Sequence, residues 1–459
     1  ISGGRMFELS FVLDSTKGRL ISGDGPGELR RVSTDSRSVR PGDVFFALKG
    51  DNFDGHKFVG EAFQKGAAAA VVEDVSEPTG PGKPVILVPS TLTALGDLAS
   101  AWRMSFPSLK LAAITGSNGK TTTKEMSAAI VSLKFNTHKN TGNFNNLIGL
   151  PLTLLELNNS YERAVVELGM NDFGEIKRLA EISRPDVGTI TNIGRAHLEK
   201  LGGLNGVARA KGELVERFGP DNVFVVNLDD PRVEEIASRT DSKKLTYGIK
   251  NEKASLRAKD ITQDGTAGIR FVMSLMGKDM PVRINGIGLH NVMNALCAAG
   301  IGYSLGCGPD EIKAGLEGFK PGKMRLEVLR SPAGFGIIND TYNANPDSIR
   351  SAVNELITLA GEGRSIAVVG DMLELGEASG PEHRALGEYI SQAGVDLLVA
   401  YGNFGGDVVE GAGKGVHAKT HADAARAVAE AASKGDVVLI KGSRGMRMEE
   451  VTKLLMEGA

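Results

Sequence analysis

The residues with the clearest chemical signature form a glycine–lysine loop, Thr115-Gly116-Ser117-Asn118-Gly119-Lys120-Thr121. Glycines let the backbone turn tightly, so that successive N–H groups converge on phosphate oxygens. The Lys120 ammonium adds a point charge near the β- and γ-phosphates, and the Thr121 hydroxyl is a ligand for Mg²⁺. We therefore predict that this loop, together with Thr122, binds ATP.

The spacing of the loop differs from the usual phosphate-binding motif, which has four residues between its glycines. Here two residues separate Gly116 from Gly119, and Ile114 stands where the first glycine would be. An apolar strand precedes the loop and a helical pattern follows it, which is the context that supports such a motif. The alternative is a glycine-rich turn that binds nothing.

Three residues are candidate metal ligands. An apolar strand delivers Glu167 at its end, and the carboxyl end of a parallel strand is expected to lie beside the phosphate loop. His197 follows another strand, although a lone histidine is more often a capping or packing residue. An unmodified Lys211 is cationic and cannot ligate Mg²⁺, so its pattern alone favours a solvated helix lysine.

Alternating strands and helices must position these residues. The segment Leu109–Ile130 is a strand, a loop and a helix, as in the first unit of a nucleotide-binding domain. A helix is predicted over Thr91–Met104, before Pro107. Further buried-strand runs begin at Ser365, Val395 and Asp436, about 30 residues apart, which is the length of a βαβ unit.

Composition excludes several classes of function. The chain has 459 residues and a net charge of −3, which predicts two or three domains and gives no support for a nucleic-acid partner. No apolar run approaches the roughly 20 residues of a membrane span, and no secretory signal pattern opens the chain, so we expect a cytoplasmic location. Cys297 and Cys307 are expected to be inert thiols rather than a disulfide.

These pieces together resemble the Mur ligase superfamily over nearly the whole chain, and within it the MurF type. The motifs that follow the superfamily's order are the phosphate loop, Gly142–Pro151, Val166–Asn171, Ala196–Glu199, Ala210–Glu213 and Gly288–Leu296. The motifs that point to the MurF type are Asn339–Ser348, Gly370–Gly376 and Lys441–Arg444. The stretches Ser33–Arg37 and Pro41–Gly50 resemble the UDP-sugar-binding module that the MurE and MurF types share.

The resemblance implies an α/β fold of three domains. Residues 6–108 would form a small mixed α/β domain that binds a UDP-sugar precursor, and residues 109–319 a central P-loop domain with a mainly parallel sheet. Residues 320–459 would form a Rossmann-like domain that contributes to ATP and dipeptide binding. We expect a monomer whose third domain closes over the nucleotide about a hinge near Gly318–Gly322.

The implied activity is an ATP-dependent ligase of peptidoglycan precursor synthesis. It would join D-alanyl-D-alanine to UDP-N-acetylmuramoyl-tripeptide through an acyl phosphate, with a pair of Mg²⁺ ions bound. A Mur-like ligase of the MurE type, with another amino substrate, is the nearest alternative. A P-loop switch without catalysis, and a kinase, are the others.

The resemblance also implies roles for single residues. Lys211 matches a carbamylated lysine, which would make it a Mg²⁺ ligand beside Glu167, His197 and Thr121; Lys120, Lys211 and His197 are the expected catalytic residues. Asn294 matches an adenine contact, Arg325 a contact to the ATP phosphates and Asp340 an anchor of the nucleotide. The expected substrate-binding residues are Ser36, Arg37 and Lys49 for the precursor, Asn145 or Asn146 near the γ-phosphate, and Tyr342, Asn343 and Asn345 for the dipeptide. For these last three, a strand-ending turn before a helix that begins at Pro346 is the alternative.

Overall fold

A computed structural model of the chain describes residues 8–23, 29–50, 53–74, 82–196 and 198–458. These residues form sheets of five, nine and six strands and one two-stranded ribbon. Helices alternate with most of the strands. The predicted α/β class is confirmed.

The first part of the chain folds around the five-stranded sheet. Its elements are α1 Leu9–Thr16, β1 Arg19–Ser22, β2 Arg31–Ser33, β3 Asp43–Phe46, β4 Lys49–Gly50, β5 Phe53–Asp54, α2 Val59–Gln64, β6 Ala69–Val72, β7 Val85–Leu87 and α3 Thr91–Met104. The strand order is β1-β7-β6-β3-β2, with β1 antiparallel to β7 and the other pairs parallel. Helix α3 has the predicted bounds, and the Ser90 side chain caps it by accepting a hydrogen bond from the Thr93 amide.

The middle of the chain contributes the nine-stranded sheet. Its elements are β8 Lys110–Thr115, α4 Lys120–Val131, β9 Thr137–Lys139, α5 Gly149–Leu154, β10 Arg163–Glu167, α6 Glu175–Ser183, β11 Val187–Ile190, α7 Leu198–Leu201, α8 Leu204–Gly212, β12 Val223–Asn227, α9 Pro231–Ser238, β13 Lys243–Gly248, β14 Leu256–Gln263, β15 Ile269–Leu275, β16 Lys278–Ile284, α10 Leu289–Ser304 and α11 Pro309–Gly318. The strand order is β16-β15-β14-β13-β12-β11-β8-β10-β9.

Two kinds of strand make up this sheet. The pairs β9–β10, β11–β12, β12–β13 and β13–β14 are parallel. Strands β10, β11 and β12 are buried over nearly their whole length, as expected where helices cover both faces of a parallel sheet. Strands β14, β15 and β16 pair antiparallel at one edge. In β15, buried residues alternate with more exposed ones, which is the pattern of a strand with one face toward solvent.

The last part of the chain folds around the six-stranded sheet. Its elements are β17 Glu327–Arg330, β18 Gly336–Asp340, α12 Pro346–Ala360, β19 Ser365–Gly370, α13 Ser379–Gln392, β20 Leu397–Tyr401, α14 Gly405–Ala412, β21 Val416–Ala418, α15 His421–Ala431, β22 Val437–Lys441 and α16 Glu449–Glu457. The order is β17-β18-β22-β19-β20-β21, and only β17 is antiparallel to its neighbour among the pairs in this sheet.

Two hydrophobic cores cover the two faces of this six-stranded sheet. Alternate residues of β19 point in opposite directions, so Ala367 and Val369 pack with α12, α13 and α14. Ile366 and Val368 pack with α15 and α16 on the other face. Helices on both faces of a mainly parallel sheet are the expected Rossmann-like arrangement.

The chain divides into two compact units. One consists of residues 1–113, 135–170 and 174–186, and the other of residues 114–134, 171–173 and 187–459. The predicted domain ranges each contain one of the three large sheets, but their boundaries stay a prediction.

Two smaller expectations are also tested. Cys297 and Cys307 are free and buried, as predicted. Within the described ranges, no helix combines the length and the apolar character that crossing a membrane requires.

Candidate active site

The phosphate loop joins β8 to α4 through two glycines in the left-handed region. Gly116 has a φ of 143° and Gly119 a φ of 81°, and Gly119 is the N-cap residue of α4. A Cβ at Gly116 would overlap the Thr191 hydroxyl, and a Cβ at Gly119 would overlap the side-chain oxygen of Asn294. Both positions therefore require glycine, and the N-terminus of α4 that follows them is the kind of position at which helices bind anions.

The segment that follows β11 holds the loop in place. Asn118 N donates to Asn192 Oδ1 (3.0 Å), and Thr191 Oγ1 donates to Asn118 O (2.5 Å). Ser117 N donates to Asn192 O (2.9 Å), and the Ser117 hydroxyl exchanges hydrogen bonds with Gly194. Because the partners lie more than 70 residues away in sequence, tertiary structure fixes the shape of the loop before any ligand binds.

Two cations meet at the start of α4. Lys120 Nζ donates to Gly116 O at 2.8 Å and to Ser117 O at 3.4 Å, so its ammonium lies over the loop. Arg325 Nη2 donates to the Thr121 hydroxyl at 3.0 Å. Lys120, Arg325 and the N-terminus of α4 are suited to a polyphosphate, and Thr122 is half-buried in the same turn of α4.

Arg325 also connects the loop to the predicted dipeptide residues. Its guanidinium lies 3.8 Å from the centre of the Tyr342 ring. A cation over the face of an aromatic ring is attracted to it, so Tyr342 helps to hold the Arg325 guanidinium beside Thr121. The structure thus brings Arg325 and Tyr342 to the phosphate loop.

Asp340 lies at the end of β18 and forms a buried ion pair with Lys441, at the end of β22. Lys441 Nζ is 2.6 Å from Asp340 Oδ2 and 2.9 Å from Asn343 O. The amide of Leu326 donates to the other Asp340 oxygen at 3.2 Å. Lys441 therefore fixes both the predicted nucleotide anchor and the turn that follows it.

The turn after β18 is a strand-ending turn before a helix, which is one of the two alternatives from the sequence, and dipeptide binding by its residues stays a prediction. Asn345 is the N-cap residue of α12, since its side chain accepts from Ser348 N at 2.9 Å. The same side chain donates to Asn118 Oδ1 in the phosphate loop at 2.7 Å. Asn343 is exposed, and its side chain accepts from the Ala344 amide. Asn345 is thus a helix cap that also contacts the loop.

Asn294 lies on α10 and is buried against the loop. Its side chain accepts from Thr123 Oγ1 and donates to Asn291 Oδ1, each at 3.3 Å. These contacts place it directly behind Gly119. Its role as an adenine contact stays a prediction.

Glu167 forms its own group with the asparagines of the Gly142–Pro151 motif. It ends β10 with 3% exposure, and Asn145 Nδ2 donates to its Oε1 at 2.7 Å. The Asn146 side chain instead accepts from the amides of Ile148 and Gly149, where α5 begins. Of the two candidates, Asn145 is therefore the one that contacts the predicted metal ligand.

The structure does not agree with the solvated helix lysine that the pattern alone favoured for Lys211. It lies in α8 and is 1% exposed, so it is not a solvated helix lysine. Burying an ammonium costs on the order of several kcal/mol unless the ammonium is paired with an anion or chemically neutralised. The helical pattern could not reveal this, because the covering residues come from elsewhere in the chain. The prediction for His197 lies outside the described residues.

The predicted metal set matches no ready-made cluster. In the part of the chain that the structure describes, no three His, Cys, Asp or Glu residues are arranged to hold a metal ion. The predicted set consists instead of the Thr121 hydroxyl, the Glu167 carboxylate and a modified Lys211. Its fourth member, His197, lies outside the described residues. Hydroxyl and carboxylate oxygens are the donors that Mg²⁺ prefers, so these residues fit the ion chemically.

Of the three residues predicted to bind the precursor, Arg37 and Lys49 are exposed to solvent and Ser36 is buried. Arg37 follows β2, and its side chain is 86% exposed and paired with Asp35 at 2.8 Å. This pairing lowers the pKa of Asp35 to about 2. Ser36 is buried, and its hydroxyl donates to Glu61 at 3.3 Å. Lys49 is exposed on the ribbon of β4 and β5.

Three family models match consecutive parts of the chain. They describe the catalytic domain of the Mur ligase family (residues 28–103), the Mur ligase middle domain (114–302) and the Mur ligase glutamate ligase domain (324–444). A curated relative from Bacillus subtilis, named UDP-N-acetylmuramoyl-tripeptide–D-alanyl-D-alanine ligase, is 40% identical over 433 residues, which cover 93% of each chain. The chain belongs to the Mur ligase family.

Solved structures of Mur ligases agree with this assignment. A crystal structure of MurF from Acinetobacter baumannii has a TM-score of 0.92 at 35% identity and covers 99% of both chains. A MurF ligase from Thermotoga maritima, solved in complex with ADP, has a TM-score of 0.84 at 30% identity and covers 94% of this chain and 97% of that chain. The resemblance read from the sequence is confirmed.

Some groups around this Mur ligase site were missed by sequence reasoning. Lys441 and Arg195 form ion pairs with residues 101 and 187 positions away, and no local pattern reveals such partners. His290 is a third case, because burial lowers its pKa to about 4 and keeps it neutral. The motif Gly288–Leu296 contains His290, but the sequence carries no sign of its protonation state.

Proposed function

We propose that this Mur ligase is an ATP-dependent enzyme that joins D-alanyl-D-alanine to UDP-N-acetylmuramoyl-tripeptide in peptidoglycan synthesis. The observation that carries the proposal is the preformed phosphate loop, where Lys120 donates to Gly116 O and Arg325 donates to the Thr121 hydroxyl. The name of the Bacillus subtilis relative, at 40% identity over 93% of each chain, supports the choice of substrates. The ADP complex of the Thermotoga maritima ligase supports the choice of nucleotide.

The reaction needs an activated carboxylate, because a free carboxylate has no good leaving group. The tripeptide carboxylate attacks the γ-phosphorus of ATP, and the bond to ADP breaks to give an acyl phosphate. The dipeptide amine then attacks the acyl carbon, and phosphate leaves as the amide forms. The main task of the protein is to bring two anions together and to neutralise their repulsion.

The residues of the loop are suited to this task. The amides at the start of α4 and the Lys120 ammonium bind the phosphates, and the Arg325 guanidinium stabilises the charge that develops during transfer. Asn294 and Asp340, which is held by Lys441, position the nucleoside. Preorganised donors of this kind stabilise a transition state without reorganising during the reaction.

Thr121, Glu167, His197 and a carbamylated Lys211 would hold the Mg²⁺ ions. When bound, these ions neutralise phosphate charge and orient the transferring group. The burial of Lys211 fits a carbamate, because carbamylation replaces a buried cation by an anion next to divalent ions. Asn145 orients the Glu167 carboxylate through the hydrogen bond at 2.7 Å.

Two separate groups of residues bind the organic substrates. Ser36, Arg37 and Lys49 bind the precursor, and Arg37 offers a largely exposed guanidinium to its diphosphate. Tyr342, Asn343 and Asn345 bind the dipeptide. The third domain, residues 320–459, opens and closes about Gly318–Gly322, which excludes water from the acyl phosphate. The enzyme works as a monomer in the cytoplasm, where its product supports the cell wall that maintains cell shape and division.

Phosphate release tests the proposal. The chain is incubated with ATP, Mg²⁺ and UDP-N-acetylmuramoyl-tripeptide, and D-alanyl-D-alanine, meso-diaminopimelate, L-lysine or glutamate is added in turn. Release that requires the precursor and is fastest with D-alanyl-D-alanine is expected. Preference for a single amino acid would indicate the MurE type, ATP binding without release would indicate a switch, and phosphate retained on the product would indicate a kinase.

A further inference from the structure

The segment behind the phosphate loop has a second set of contacts. Thr191–Gly194 bonds to the loop, and the next residue, Arg195, bonds to the last part of the chain. Arg195 N donates to Asp347 Oδ2 at 2.8 Å. The Arg195 guanidinium donates to both carboxylate oxygens of Glu382, at 3.1 and 3.2 Å.

Both acidic partners lie where a helix favours negative charge. Asp347 is in the first turn of α12 and Glu382 in the first turn of α13. The positive end of a helix dipole favours a carboxylate at this position, which suits each acid to pair with Arg195. The side chains of Arg195 and Glu382 are 36% and 17% exposed, which screens this pair less than a surface pair.

The same turn of α12 contacts the loop directly. Asn345, two residues before Asp347, donates to Asn118 in the loop at 2.7 Å. The predicted dipeptide residues Tyr342 and Asn343 immediately precede this turn. A shift of α12 therefore changes the dipeptide residues and the loop contact together.

We infer that Arg195, with Asp347 and Glu382, is a latch that holds the dipeptide residues at the phosphate loop. The inference rests on the proposed function and goes beyond it. The latch crosses the predicted hinge at Gly318–Gly322. Asn345 of α12 contacts the loop, but the bonds from Thr191–Gly194 to the loop do not depend on the latch. Arg195 is thus a positioning residue, and breaking the latch lowers dipeptide use while ATP binding stays intact.

Charge reversal tests the latch, and the chain offers a matched control. Arg384 lies two residues after Glu382 on α13 and forms a similar double hydrogen bond with Glu410 on α14, without reaching the loop. R195E is expected to lower kcat over KM for the dipeptide about tenfold, as like charges replace the ion pair. R384E is expected to match the parent within about twofold.

A double variant and the affinity for nucleotide distinguish loss of the latch from a general loss of structure. The double variant R195E/E382R restores the pair and should return to within about threefold of the parent. The Kd for a non-hydrolysable ATP analogue with Mg²⁺ should change less than about twofold in every variant. A double variant no better than R195E, or a loss in R384E equal to that in R195E, overturns the latch.

A measurement without turnover keeps the latch separate from the proposed function. The radius of gyration is measured by small-angle scattering with the same analogue and Mg²⁺. R195E should be larger than both the parent and R384E, and the double variant should match the parent. Equal radii for R195E and the parent contradict the latch, whereas a parent that releases no phosphate contradicts only the proposed function.

Discussion

The phosphate loop and the predicted precursor region differ in how their functional side chains are held. In the loop, Asn118 is bonded to residues 74 and 227 positions away, and both glycines face side chains that leave no room for a Cβ. In the precursor region, Arg37 is paired only with Asp35, two residues before it, among the contacts the structure gives for its side chain. The loop is built before its ligand binds, whereas Arg37 must exchange a neighbour for its ligand. We expect changes in the loop to reduce turnover and changes at Arg37 to reduce affinity.

Removal of the loop lysine gives the largest expected effect. Lys120→Ala leaves the loop amides without their cation, so transfer of the γ-phosphoryl should slow by about 10³-fold or more. Phosphate release at saturating substrates measures this loss. An unchanged unfolding midpoint shows that the variant is folded, and a folded variant with near-parental turnover would remove Lys120 from the mechanism.

A pair of glycine variants tests whether the loop is preformed. Gly119 and Gly277 both have a φ of 81°, but a Cβ at Gly277 meets nothing within 4 Å. Gly119→Ala should weaken binding of an ATP analogue about 100-fold, because it displaces Asn294 as well as straining the backbone. Gly277→Ala should show only the strain, about 1 kcal/mol of stability. Equal affinities in the two variants would mean that the loop adapts to a Cβ.

Substitutions in the precursor region should have an effect about ten times smaller than that of Gly119→Ala on nucleotide affinity. Arg37→Ala is expected to raise the KM for the precursor about tenfold and to change kcat less than twofold. Asp35→Asn is the matched variant, because it removes the same ion pair and keeps the cation. A similar rise in KM for Asp35→Asn would show that the pair orders the region and that Arg37 does not bind the precursor.

A further expected effect concerns acid stability. Burial lowers the pKa of His290 from 6.5 to about 4, so below pH 6.5 the unfolded chain binds a proton that the folded chain does not. Stability should therefore fall by about 2 kcal/mol between pH 6.5 and pH 5, at 1.36 kcal/mol per unit. His290→Gln should flatten this slope in denaturant titrations. Asp35→Asn should not, because Asp35 is exposed and stays ionised over this range; an unchanged slope in His290→Gln would assign the loss elsewhere.

Local patterns predicted the elements that local forces determine. The glycine–lysine loop and the bounds of α3 follow from backbone conformation and capping, and both agree with the structure. The antiparallel strands β14–β16 were not predicted, although the alternating burial of Ile269–Leu275 is the kind of pattern that marks such a strand.

Contacts between residues distant in sequence determine the features that the sequence patterns could not predict. The choice between Asn145 and Asn146 depends on Glu167, 22 positions from Asn145, and the burial of Lys211 depends on packing around α8. Tertiary neighbours override a helical pattern when they cover the face that the pattern leaves polar. The order of the motifs indicated the family, whereas the hydrogen-bond partners and burial of single side chains could be read only from the structure.

The transfer of oxygen tests most directly the central claim that ATP activates the tripeptide carboxylate at this loop. The precursor is prepared with ¹⁸O in the carboxyl group that accepts the dipeptide, and the inorganic phosphate released during ligation is analysed by mass spectrometry. The account predicts phosphate that contains one ¹⁸O atom, because the carboxylate oxygen leaves with the phosphoryl group. Unlabelled phosphate formed at the rate of ligation would contradict an acyl phosphate and the account built on it.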